Sequence, residues 1–104
     1  MSERIVLCGA SAYEQKYYLN QQFAGLPQAI REELQILCVL FTEEVGGVLT
    51  IAFEADGEIV LETEFEENDY YYDTVSSGLM IRAVRDKRQE LFRSLELYYR
   101  VFNQ

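Results

Sequence analysis

The sequence predicts an α+β domain in which a small antiparallel sheet packs against two helices, the second of them long. Three observations predict it. An Asp56-Gly57 pair separates two β-rich runs, Pro27 and Gly46-Gly47 bracket a segment with apolar residues at helical spacing, and the stretch from Asp73 to Phe102 keeps helical periodicity with few breakers apart from Gly78. The 104 residues, 49% hydrophobic and 13% aromatic, can bury one core but not two, so the unit is taken as residues 1–104.

The first 25 residues admit two local structures. Ser11-Ala12-Tyr13-Glu14 has the form of a capping box that would start a short helix, whereas Tyr13, Gln15, Tyr17 and Leu19 alternate with Glu14, Lys16, Tyr18 and Asn20 as an edge strand would. The alternation favours a strand. Arg4 to Cys8 reads either as a further short strand or as a loosely held arm, and Gly9 as turn chemistry.

A helix is expected over residues 27–45. Pro27 suits the first turn, Glu32 and Glu33 fall near the positive end of the dipole, and Ile30, Leu34, Leu37 and Phe41 share one face. Because Ile36 to Phe41 is apolar on all sides, this is a central helix or one that passes into a buried strand. The hairpin follows over 47–65. On its second strand Ile59, Leu61, Thr63 and Phe65 occupy one face and Glu58, Val60, Glu62 and Glu64 the other, the pattern of a sheet wet on one side.

In the last segment Ile81, Val84, Arg88, Leu91, Leu95, Tyr98 and Phe102 step alternately by three and four residues, a heptad seam with one charged member. Such a seam serves the core of its own chain or the interface of a dimer. Phe92, Leu97 and Val101 add apolar character off the seam, which favours self-association through the C-terminal helix or a sheet edge.

Charge narrows the partners. The net charge is −9, and the nine acids between Glu54 and Asp73 have no base among them, while Arg82 to Arg100 holds six bases against three acids. Nucleic acid and anionic membrane surfaces are therefore not expected as partners. The longest apolar run, Ile36 to Phe41, is far below the roughly 20 residues of a membrane span, and Ile5 to Leu7 is too short for an export signal of about 7–15 apolar residues. A cytoplasmic location with Cys8 and Cys38 as free thiols is the expectation, Cys38 in the core and Cys8 more accessible.

The chain has no histidine, which removes Ser-His-Asp triads, Cys-His dyads and HExxH zinc sites together. Two cysteines thirty positions apart cannot supply a four-ligand zinc site, and Cys8-Gly9-Ala10-Ser11-Ala12 lacks the spacing of either glycine-rich phosphate loop. No cofactor and no catalytic residue is expected. The segment Glu64 to Asp73 concentrates five carboxylates and three consecutive tyrosines. Carboxylates steer and orient partners, and tyrosines anchor in their pockets, so Asp69, Tyr70, Tyr71, Tyr72 and Asp73, with Arg88, Tyr98 and Tyr99 from the helix, are the candidate interaction residues. The expectation is a non-enzymatic interaction or adaptor module, homodimeric, with a protein partner. A small-molecule or divalent-cation domain built on the acidic loop is the alternative.

Tyr13-Glu14-Gln15-Lys16-Tyr17-Tyr18-Leu19-Asn20, Leu26-Pro27-Gln28-Ala29-Ile30 with Glu32-Glu33-Leu34, and Leu95-Glu96-Leu97-Tyr98-Tyr99-Arg100-Val101-Phe102 resemble a family of short uncharacterised bacterial cytoplasmic proteins. That resemblance spans most of the chain. It implies a small intracellular protein, and it transfers no activity and no site residue.

Overall fold

A four-stranded antiparallel sheet of order β2-β1-β3-β4 carries three helices, in the chain order β1 (Ile5–Ser11), β2 (Lys16–Leu19), α1 (Gln28–Val45), β3 (Val48–Phe53), β4 (Ile59–Glu64), α2 (Thr74–Lys87) and α3 (Gln89–Phe102). The computed structural model describes residues 3–102, so the ends of the 1–104 unit, residues 1–2 and 103–104, lie outside the described residues.

The expected hairpin is β3-β4, with Phe53 opposite Ile59 and Val48 opposite Glu64. Gly57 at φ +89 supplies the left-handed turn residue that L side chains disfavour. Alternation puts Leu49, Ile51, Phe53 and Ile59 into the core and leaves Glu62 and Glu64 on the outer face, where Arg4 pairs with Glu62 and Glu54.

Both readings of the N-terminal segment survive in part. The Ser11 hydroxyl accepts a hydrogen bond from the Glu14 N–H at 3.3 Å, yet it closes the turn between two strands rather than opening a helix, and Tyr13 lies in that turn. The alternation takes hold only from Lys16, where Tyr17 opposite Ala10 and Leu19 opposite Cys8 share the core face. The segment Arg4 to Cys8 is no loose arm. It enters the seven-residue strand β1, which pairs on both sides and is irregular between Val6 and Cys8, so that Leu7 and Cys8 are both fully buried. Gly9 is accordingly inside a strand and not in a turn: a Cβ there would sit 2.8 Å from the Leu49 carbonyl oxygen, and its absence lets β1 approach β3.

The helix expected at 27–45 runs from Gln28, with Pro27 as its boundary residue, and buries Leu34, Leu37, Cys38, Phe41 and Thr42 against the sheet. It stays helical to Val45, so the strand alternative does not apply.

The C-terminal segment departs from one long helix. It divides at Arg88, whose φ of −116° and ψ of 31° leave the helical region, into α2 and α3. A straight helix over residues 74–102 would be about 43 Å long at 1.5 Å per residue, as long as the whole molecule, whose largest extent is 44 Å. The break lets α2 run beside α1 while α3 lays Leu91, Phe92, Leu95 and Tyr99 on the sheet, with Tyr99 stacked on Phe53 at 4.5 Å. Ile81, Val84 and Tyr98 also pack against this core, so most of the heptad seam is used within the chain, while Phe102 at its end is half-exposed and Leu97 and Val101 beside it stay exposed. At the sheet edge, Arg85 donates to the Ile59 carbonyl and the Ile59 N–H donates to Glu96, both at 3.0 Å.

Candidate functional site

The acidic segment after β4 is a framed loop whose tip is bare. Phe65 stacks on Tyr72 with centroids 4.5 Å apart. The Tyr72 ring also lies against Gly47, where a Cβ would come within 2.7 Å of it, and the Tyr72 hydroxyl donates to Ser77 at 2.6 Å. From the opposite side Tyr13 closes the frame: its hydroxyl donates to Asp69 at 2.6 Å and accepts from the Glu66 N–H at 3.0 Å. Asp69 also accepts from the Tyr71 N–H, and Asp73 caps α2 by accepting from the Val75 and Ser76 N–H groups and from the Ser76 hydroxyl. Those bonds, from the Ser76 hydroxyl first and then the two N–H groups, hold the Asp73 carboxyl below its ordinary range.

Two side chains take no part in the frame. Tyr70 is 88% exposed and Tyr71 98% exposed, on a loop fixed at both ends and in its middle. Of the predicted interaction residues these two alone project freely; Asp69, Tyr72 and Asp73 build the support beneath them. Arg88 is elsewhere, half-buried and paired with Glu33 at 3.3 Å. Tyr99 belongs to the core, and Tyr98 is half-buried and stacked on Phe102. The eight residues therefore do not form one surface. Tyr13 was missed because nothing local marks a residue 56 positions from Asp69 as its partner.

Asp69 accepts two hydrogen bonds and Asp73 three through their carboxylates, and among the described residues no group of three or more His, Cys, Asp or Glu side chains could hold a metal ion.

Between β1 and α1 the two cysteines meet. Cys8 and Cys38 are both fully buried with sulfur atoms 3.8 Å apart as free thiols, so the expectation of a more accessible Cys8 fails: the β1 irregularity turns it into the core. The hydrogen bond with Cys8, then burial, pushes the Cys38 thiol up from its ordinary value. Tyr17 covers the pair. Its hydroxyl is buried without a hydrogen bond of good geometry; burial first, and then the neighbouring Cys8 and Cys38 thiols, push its ionisation up as well. Tyr17 also lines a cleft of about 620 Å³ between the β1-β2 turn and α1, with Gln15, at φ +53, among the lining residues.

A third surface lies between the antiparallel helices α1 and α2. Leu37, Leu40, Phe41, Met80, Ala83 and Val84 line a groove of about 190 Å³ there, with Glu44, Lys87 and Arg88 around it.

The family model of a family of unknown function, DUF6145, matches residues 4–104. The chain belongs to this family. The match covers the sheet, all three helices and the tyrosine loop together, so the loop is part of the family's own domain. No curated protein and no solved structure matches the chain. Among the described residues no helix is long and apolar enough to cross a membrane.

Proposed function

We propose that this member of DUF6145 is a non-enzymatic protein-interaction module of the cytoplasm that presents the Tyr70-Tyr71 tip to a partner protein with a basic rim around an apolar pocket. The observation that carries the proposal is the contrast within one loop: Asp69, Tyr72 and Asp73 are fully engaged, while Tyr70 and Tyr71 are 88% and 98% exposed. Exposed tyrosines on a pre-formed loop bury large area at small ordering cost when a partner covers them. The nine acids from Glu54 to Asp73 set the sign of that partner's rim.

A photo-crosslinking amino acid at position 71, introduced in living cells, tests this. A discrete adduct that disappears with Tyr70→Ala is expected, and the same crosslinker at Arg93, exposed on α3, should not give it. Absence of an adduct at position 71, or the same adducts from both positions, would refute the proposal.

A further inference from the structure

The α1/α2 face carries more exposed apolar surface than its own chain uses. Leu40 in the groove is 54% exposed, Ile36 one turn before it is 53% exposed, and Leu79, beside Met80 and one turn before Ala83, is 61% exposed. Four residues apart on one helix means the same side, so Ile36-Leu40 and Leu79-Ala83 form two parallel ridges flanking the groove floor of Leu37, Phe41 and Val84. Two antiparallel helices with an apolar valley between them are half of a four-helix arrangement.

The charges around the valley say what fits it. The Glu33-Arg88 pair fixes one end, and the chain passes from Val45 through Gly46-Gly47, packed by Tyr72, at the other, so α2 runs antiparallel to α1. Glu44 therefore stands at one end of the groove and Lys87 at the opposite end, and among the described residues neither is in an ion pair. A two-fold axis through the middle of the groove exchanges these ends. It brings Glu44 of one copy to Lys87 of the other, twice, and lays ridge against ridge. We infer that the α1/α2 face is the seat of a second copy of this chain, joined through a two-fold interface centred on Leu40 and bordered by reciprocal Glu44-Lys87 pairs. The interface is separate from the Tyr70-Tyr71 tip and from the seam of α3, and does not rest on the loop's role.

Sedimentation equilibrium of the full chain tests it, with Leu40→Glu, Glu44→Lys and Lys87→Glu as variants. All three positions are exposed, so the fold is kept, and circular dichroism verifies this. The native chain should dimerise at micromolar concentrations, and Leu40→Glu should weaken the dimer by about a hundredfold or more. Each single charge reversal places like charges at both symmetric contacts and should weaken it by about tenfold. An equimolar mixture of Glu44→Lys and Lys87→Glu restores an opposite pair at both contacts, so the mixture should associate about as tightly as the native chain. A chain still monomeric at about 100 μM, a dimer indifferent to Leu40→Glu, or a mixture no tighter than its components would overturn the inference. The adduct at position 71 reports on the loop whichever way these results fall.

Discussion

Replacing Tyr17 with Phe should stabilise this protein, against the usual direction for losing a hydroxyl. The Tyr17 oxygen is shielded from solvent and finds no hydrogen bond of good geometry, its neighbours being the thiols of Cys8 and Cys38. A buried polar group without a partner costs about 1–3 kcal/mol in lost hydration. Deleting it leaves a void of roughly one oxygen atom, about 10–15 Å³, which at about 24 cal/mol per Å³ returns some 0.3 kcal/mol. The net gain is about 1 kcal/mol or more, a Tm rise of roughly 4 °C in a domain of this size. Urea and thermal denaturation followed by circular dichroism would measure it. The pH dependence supplies an independent sign. Burial raises the folded tyrosine above its ordinary 10.0, so its contribution is complete below that value and is lost as pH rises beyond it, where only the unfolded chain ionises. The Phe variant should therefore lose less stability than the native chain above pH 10. A variant destabilised by more than about 0.5 kcal/mol would refute the reasoning and show that the hydroxyl has a partner worth a hydrogen bond.

Gly78 faces open space in the middle of α2, so Gly78→Ala should raise stability by about 0.5–1 kcal/mol. Gly47→Ala, at φ +69 and within 2.6 Å of the Glu64 carbonyl oxygen, should instead lower it by about 2 kcal/mol or more and loosen the Tyr72 anchor; chemical denaturation of the pair measures both. Asp73→Ala should lower Tm by a few degrees by uncapping α2, whereas Asp73→Asn keeps the cap. Because the Asp73 carboxyl is held below its ordinary 3.8, its contribution is present above that pH and lost as pH falls through the folded value, a loss the Asn variant should not show. Both thiols should react with a bulky disulfide reagent only at the rate of unfolding, and stability should fall as pH rises above about 9.0, where the unfolded Cys38 ionises but the buried one does not; fast labelling of either cysteine in the native chain would refute this.

The sequence by itself determined the elements that local chemistry specifies. Asp56-Gly57 between two alternating runs dictates a hairpin, since few other dipeptides accept the turn's left-handed residue, and Pro27 with Gly46-Gly47 bounds α1 for similar reasons. An exposed acidic loop was also legible, since no small core can bury that run of carboxylates, but that Tyr70 and Tyr71 project while Tyr72 anchors was not. Only the tertiary structure decided the rest. The division of the C-terminal helix at Arg88 has no local breaker in Lys87-Arg88-Gln89; it is fixed by packing, which sets α2 beside α1 and α3 on the sheet and stands Glu33 where Arg88 can meet it. Gly9 reads as a turn residue until β3 is seen pressed against it, and Cys8 reads as accessible until the irregularity in β1 turns it toward Cys38, thirty residues away. The Tyr13 tether and the groove between α1 and α2 depend likewise on which distant segments become neighbours. A period of two or of 3.6 residues states which face of an element is apolar, but only packing decides whether that face meets the core of its own chain or remains exposed, as Ile36, Leu40 and Leu79 do.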